Sequence, residues 1–361
     1  MKDFKLRRGM GIGGWLTNYK RFNVLPIDKR LDITIGDIEH FESYITEKDI
    51  KYIAETGFDH IRLGFDQIVL EKSPYEYREL TVYLVESFVS WCHKYNLTPI
   101  LNLHKAIGNY CDIEEEVGLL DSTELQDRFI ALWLMLEKRF SKDPGVYFEL
   151  LNEVRDVDPE LWNDLAEKTI NKIREINKER VIIVGTTNWN NVWRLDKLRL
   201  YDDENIIYTF HMYDPSEFTH QRGVLHANQL YYNRVMHYPD DIEKFREYYR
   251  LSFNNNNAYQ GFDIMDKKYM SHILSPAKEF VKKHPDKCLW CGEFGTIRHA
   301  DIRSRENWMR DVISILKEDN IPYCVWNYLS TPNDGNRFSL VDDDTRKILT
   351  KELEKILLGE I

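Results

Sequence analysis

The chain has 361 residues, a net charge of −11 and 13% aromatic residues. That length supports a large core without disulfide staples. The acidic balance argues against nucleic acid and anionic membrane surfaces as partners, since both want basic patches.

No apolar run is long enough to cross a bilayer. The opening Met1-Lys2-Asp3-Phe4-Lys5-Leu6-Arg7-Arg8 carries positive charge with no apolar stretch behind it. The chain as written is therefore expected to be cytoplasmic, or extracellular if a signal has been removed.

Strand-like and helix-like runs alternate along the chain. Strands are predicted over 9–15, 58–63, 98–103, 146–151, 181–186, 206–210, 287–291 and 323–326. Several are continuous apolar runs, as parallel strands buried on both faces require. Amphipathic helices are predicted between them over 47–55, 80–95, 124–140, 160–177 and 303–318. Thr46 and Asp121 are candidate N-caps, the second with Glu124 three residues on. Gly57 is a candidate helix stop. Eight strands interleaved with helices predict a (β/α)8 barrel, one catalytic domain over 1–361. Gly11-Ile12-Gly13-Gly14 lacks the third glycine and following helix of a dinucleotide site, so it is read as barrel strand.

One interval is too long for a single loop and helix. Residues 214–286, with His220, Gln221, Arg222 and Asn254-Asn255-Asn256-Asn257, are expected to form a small helical subdomain inserted after strand six. Insertions on that face of a barrel commonly wall the substrate cleft.

The five cysteines are Cys92, Cys111, Cys288, Cys291 and Cys324. Their odd number fits a reducing compartment. Cys288 and Cys291 lie three apart on one predicted strand, facing opposite sides, which argues against a zinc or redox pair.

Polar residues gather where the strands end: Arg62, His104, Asn152, Glu153, His211, Tyr213, Glu293 and Trp326. At the C-terminal ends of barrel strands they would converge on one mouth. Two carboxylates there are the usual equipment for cleaving a glycosidic bond, and in a retaining enzyme they stand about 5–5.5 Å apart. The nucleophile must stay ionised, a task for which Arg62 and Tyr213 are suited. The acid must hold its proton, and like charge from its partner favours that. Trp326 offers a flat apolar face to a sugar ring, and Asn152 a hydrogen bond to its 2-hydroxyl. His104 and His211 would hold the carboxylates and hydroxyls in place. No metal or other cofactor is required.

Spacing alone leaves open which glutamate does what. The stretches Phe58-Asp59-His60-Ile61-Arg62-Leu63, Leu101-Asn102-Leu103-His104, Glu149-Leu150-Leu151-Asn152-Glu153, Phe210-His211-Met212-Tyr213, Cys291-Gly292-Glu293-Phe294-Gly295 and Val325-Trp326-Asn327-Tyr328 resemble glycoside hydrolase family 5. They run through almost the whole chain in the family's order. The resemblance implies Glu153 as acid/base and Glu293 as nucleophile. Gly13-Gly14-Trp15 and Phe218-Thr219-His220-Gln221 further resemble the clostridial endoglucanase C type, which acts on β-1,4-linked and mixed-linkage glucans. A β-glucan polymer or oligosaccharide is then the expected partner, and a monomer the expected state.

Two departures bear on specificity. Lys105 follows His104 where relatives often carry His or Asn. The segment between Tyr213 and Lys287 has no tryptophan where relatives offer a stacking platform. Tyr231, Tyr232 and Tyr259 are candidate substitutes, and Trp15, Trp189 and Trp193 are candidates for sugar stacking elsewhere. The resemblance leaves a β-glucosidase or other exo-acting enzyme, a β-mannanase and a barrel that only binds carbohydrate as alternatives, because fold does not fix the sugar.

Overall fold

The computed structural model describes residues 4–17, 35–110, 118–331 and 334–360. Eight parallel strands close into a barrel: β1 (Arg8–Leu16), β2 (His60–Asp66), β3 (Thr98–Lys105), β4 (Tyr147–Glu149), β5 (Ile182–Gly185), β6 (Ile206–Met212), β7 (Cys288–Phe294) and β8 (Tyr323–Val325). Each pairs with its neighbours in sequence, and β8 closes on β1 with Arg8 opposite Tyr323. The expected barrel is therefore present, with differences at the strand ends. Strand β2 runs on to Asp66 and β3 to Lys105, so His104 sits inside its strand rather than just beyond it, and Arg62 stands further from its strand's end than expected. Strand β7 likewise continues through Glu293 to Phe294. Barrel closure pairs these polar residues with neighbouring backbones, which local apolarity could not indicate.

The layer outside the barrel includes α1 (Glu47–Thr56), α2 (Glu79–Lys94), α3 (Thr123–Phe140) and α4 (Pro159–Arg174). Gly57 ends α1 with φ +112°, the left-handed conformation that suits glycine. Thr46 is the extended N-cap of α1, and the Asp49 carboxylate accepts from its backbone N–H at 2.8 Å. Asp121 is not the cap of α3. It lies in a 3-10 turn (Leu119–Asp121), and the Ser122 hydroxyl accepts from the Leu125 N–H instead.

After β6 come short turns at Ser216–Thr219 and Ala227–Tyr232, then α5 (Ile242–Phe253), α6 (Lys267–Ile273) and α7 (Ser275–Lys283). Helix α7 packs on β7, and α6 packs on α8 (Ile302–Glu318). Helix α9 (Lys351–Leu357) follows β8 and also packs on α8.

Two apolar layers hold the barrel. The larger lies between strands and helices and includes Trp133, Phe148, Trp308 and Phe294. The smaller fills the barrel near the strand N-termini, with Leu6, Ile100, Tyr147, Ile183, Trp290 and Cys324. Cys288 belongs to the inner layer and Cys291 to the outer one, so the pair faces opposite sides as expected. The four described cysteines are free and buried. Cys111 lies outside the described residues.

Candidate active site

Strand β7 carries a bulge between Cys291 and Glu293. Cys291 pairs with Phe210, while Glu293 pairs with the very next residue, His211. Cys291 and Phe210 both face the outer core. Strict alternation would send Glu293 outward too; the extra residue turns it inward beside His211. Gly292 makes the bulge possible, because a Cβ there would come within 2.4 Å of the Thr209 hydroxyl.

Arg62 meets Glu293 from across the barrel. Its Nη1 donates to Glu293 Oε2 at 2.5 Å, and its Nη2 donates to Asn152 Oδ1 at 2.6 Å. Two further bonds, from Nε at 2.6 Å and Nη2 at 2.9 Å, grip both oxygens of Glu149. Arg62 and Glu149 are fully buried. Burial works against the charge on Arg62, but Glu149 and Glu293 outweigh it and push its pKa above the usual arginine value. On the other side, the Tyr213 hydroxyl donates to Glu293 Oε1 at 2.6 Å. Burial and then the Glu293 charge hold the Tyr213 phenol far from ionising.

Glu153 stands beyond β4 and is partly exposed. His211 Nδ1 lies 2.9 Å from its Oε1. Burial lowers the His211 pKa to about 4, with Arg62 acting the same way and Glu293 opposing. The Glu153 backbone is pinned by Asn109, whose amide donates to the Glu153 carbonyl at 2.9 Å. One carboxylate oxygen each of Glu153 and Glu293, with a ring nitrogen of His211, lie within 4.8 Å of one another. That spacing suits a retaining pair, since an inverting pair needs about 6.5–9.5 Å between carboxyls. The three side chains also have the types of a metal site. The guanidinium already against Glu293 opposes a second cation there.

Trp326 follows β8 and stacks on His104, with ring centroids 5.2 Å apart and planes 8° off parallel. Gly11 and Gly13 of β1 leave room for its indole, for a Cβ at either would come within 2.8 or 2.4 Å of that ring. All eight predicted site residues are thus brought to one end of the barrel. All but the buried Arg62 line a cavity of about 540 Å³.

The aromatic candidates divide. Trp15 is buried, stacks on Trp91 and donates its indole N–H to the Phe41 carbonyl, so it is a core residue. Trp189 lines the cavity and is 45% exposed. Trp193 is exposed and packs near His272 of α6, outside the cavity lining. Tyr231, Tyr232 and Tyr259 do not line the cavity either; Tyr259 donates its hydroxyl to Glu217. From the segment after β6, the cavity receives Asp214, Ser216, His220, Leu225 and His226 instead. Lys105 is buried, with its ammonium 5.8 Å from the Tyr110 ring centroid.

Sequence reasoning passed over Glu149 and Asn190. Glu149 was visible as a charge inside the apolar run 146–151. Asn190 stood in the Asn-rich run Asn188-Trp189-Asn190-Asn191, and asparagine tolerates left-handed turns.

Comparison with known proteins agrees with the geometry. Residues 29–331 match the family described as Cellulase (glycosyl hydrolase family 5). The chain belongs to glycosyl hydrolase family 5. Endoglucanase C of Acetivibrio thermocellus is 36% identical, over 99% of this chain and 98% of that relative. The solved structure of Thermotoga maritima Cel5A in complex with cellobiose is 25% identical and superimposes with a TM-score of 0.74, covering 98% of this chain and 97% of that one. The same enzyme in complex with mannotriose gives 25% identity and a TM-score of 0.74. This family 5 chain is accordingly a glycoside hydrolase of the cellulase type with a closed eight-stranded barrel.

Proposed function

We propose that the chain is a retaining endo-β-1,4-glucanase acting on β-1,4-linked or mixed-linkage β-glucans. Glu293 is the nucleophile and Glu153 the acid/base. The observation that carries this reading is the unequal company of the two glutamates. Glu293 accepts from a guanidinium at 2.5 Å and a phenol at 2.6 Å, the cation and donor that a nucleophilic carboxylate calls for. Glu153 has a buried neutral imidazole at 2.9 Å and is the more exposed of the two. The name of the relative spanning almost the whole chain, an endoglucanase, supports the substrate.

In the first step Glu293 attacks the anomeric carbon while Glu153 gives its proton to the departing glycosidic oxygen. In the second, Glu153 takes a proton from water, which attacks the glycosyl-enzyme ester. With its oxygen committed to Arg62, the Asn152 amide offers its nitrogen to the 2-hydroxyl of the reacting sugar. Trp326 stacks beneath that sugar, held flat by His104. The 214–286 segment walls the leaving-group side through Leu225 and His226.

The test is the product profile on barley β-glucan and cellopentaose over time. A rapid viscosity drop with mixed oligosaccharides and β-configured first products is expected. Steady release of glucose or cellobiose without a viscosity drop would replace the endo reading with an exo one.

A further inference from the structure

His211 touches Glu153 with one ring nitrogen, and its other nitrogen is held from behind by Asn190. Asn190 is fully buried. Its Nδ2 lies 2.6 Å from the Asn152 carbonyl oxygen and 3.2 Å from His211 Nε2. A carbonyl oxygen only accepts, so the amide atom facing it is the nitrogen. That nitrogen has a second hydrogen to donate, and Nε2 lies within its reach at 3.2 Å. Nε2 must therefore present its lone pair, which leaves the ring proton on Nδ1, donated to Glu153 Oε1 at 2.9 Å.

We infer that Asn190 is a positioning residue that fixes His211 as its neutral Nδ1–H tautomer and so confines the acid proton of Glu153 to Oε2. The tautomer follows from Asn190, His211 and Asn152 alone. Its consequence for the acid proton rests on reading Glu153 as the acid/base.

The backbone is built around this side chain. Asn188, Trp189 and Asn190 all have positive φ, at +56°, +57° and +56°. A left-handed turn is strained for L-amino acids, and asparagine visits it more readily than most. It is held by the Asn188 and Trp189 N–H groups donating to the Arg155 and Val154 carbonyls at 3.1 and 2.8 Å. Gly185 of β5 completes the cradle, because a Cβ there would lie 2.2 Å from the Asn190 amide oxygen. The same turn carries Trp189 to the cavity. Strain of this kind persists where surrounding contacts over-determine it.

Among the described residues, the ionisable groups acting on His211 or Glu153 include Arg62, Glu149, Tyr213, Glu293 and His226. Burial, reinforced by the Arg62 charge, keeps the His211 ring neutral, as the tautomer requires.

The experiment reads the tautomer directly, by long-range ¹H–¹⁵N correlation of the imidazoles at pH 7, with His211 assigned through His211→Asn. In the unaltered protein Nδ1 is expected to be protonated and Nε2 bare. Asn190→Asp places a carboxylate at Nε2, so Nε2 should gain a proton. The resulting imidazolium favours ionised Glu153, and the alkaline limb of kcat/KM on cello-oligosaccharides should move down by about one pH unit. Hydrolysis of dinitrophenyl cellobioside, whose leaving group needs no acid, should keep its limb in place. Asn190→Ala should mix the tautomers and cost about tenfold in kcat with KM unchanged.

A proton on Nε2 in the unaltered protein would overturn the inference. So would an Asn190→Asp enzyme with unchanged ring nitrogens and an unmoved limb. Should a variant fail to fold, the unaltered protein's spectrum still decides the tautomer. The expected tautomer in a protein that hydrolyses no β-glucan would refute the proposed function while leaving the role of Asn190 toward His211 intact.

Discussion

Arg62 and Glu149 form a two-point ion pair at full burial, with Nε–Oε2 and Nη2–Oε1 distances of 2.6 and 2.9 Å. The free end of the same guanidinium reaches Glu293. Glu149 therefore fixes the cation that fixes the proposed nucleophile. Removing one member of a buried pair leaves the other uncompensated, which costs about 3–5 kcal/mol. Glu149→Gln should lower stability by that order in urea titration and also reduce kcat. A variant with unchanged stability would show that Glu293 alone neutralises Arg62.

Glu293→Ala should abolish turnover, and added azide should restore it with a product of inverted anomeric configuration. Glu153→Ala should lose about 10²–10⁴-fold on natural oligosaccharides. On aryl cellobiosides with good leaving groups its first step should be spared. Burst kinetics and NMR of the first product check both. Equal losses on every substrate with no rescue would count against the assigned roles.

The Tyr213 hydroxyl makes a charge-assisted bond to Glu293. Tyr213→Phe deletes that bond and little else. A bond to a charged group is worth about 1.5–3 kcal/mol, so kcat/KM should fall about 10–100-fold with the melting temperature nearly unchanged. Steady-state kinetics beside a thermal melt separates this from a folding defect.

Trp189 is exposed and aimed at the cavity by its left-handed turn. Trp189→Ala should raise KM for cellopentaose by about tenfold, on the scale of one aromatic contact. The shortest aryl substrates, which do not reach it, should be hardly affected. An equal effect on both would place Trp189 at the reacting sugar instead.

Glu217 is buried in the segment after β6, with its carboxyl accepting from the Tyr259 hydroxyl. Burial raises its pKa from 4.5 to about 8. The folded state thus binds a proton that the unfolded state has released, and stability falls as pH rises from about 4.5 to about 8. The loss is fully present above that window and on the order of a few kcal/mol. Glu217→Gln should flatten the decline of melting temperature across this range. An unchanged slope would show that Glu217 ionises freely in the folded protein.

The alternation of apolar runs with amphipathic segments identified the barrel, because parallel strands buried on both faces and helices buried on one leave different periodicities. Thr46 and Gly57 were legible for a similar reason: a cap or a left-handed stop is a local conformational demand. Asp121 misled because it has the right chemistry one residue too early, and only the path of the 3-10 turn selects Ser122. Arg62, His104, Asn152, Glu153, His211, Tyr213, Glu293 and Trp326 were all readable as polar interruptions near strand ends.

What the sequence determined by itself was therefore the set of groups at the barrel mouth and the reaction class they suit. The tertiary structure decided how those groups act on one another. Glu293 turns inward only because Gly292 adds one residue opposite β6, and such a register shift has no local signature. Glu149 became the anchor of Arg62 only when β2 and β4 were brought across one closed barrel. Asn190 reached His211 through a left-handed turn held by carbonyls more than thirty residues earlier in the chain. Each of these depends on contacts between distant segments, and distance along the chain is what a reading of local pattern cannot cross.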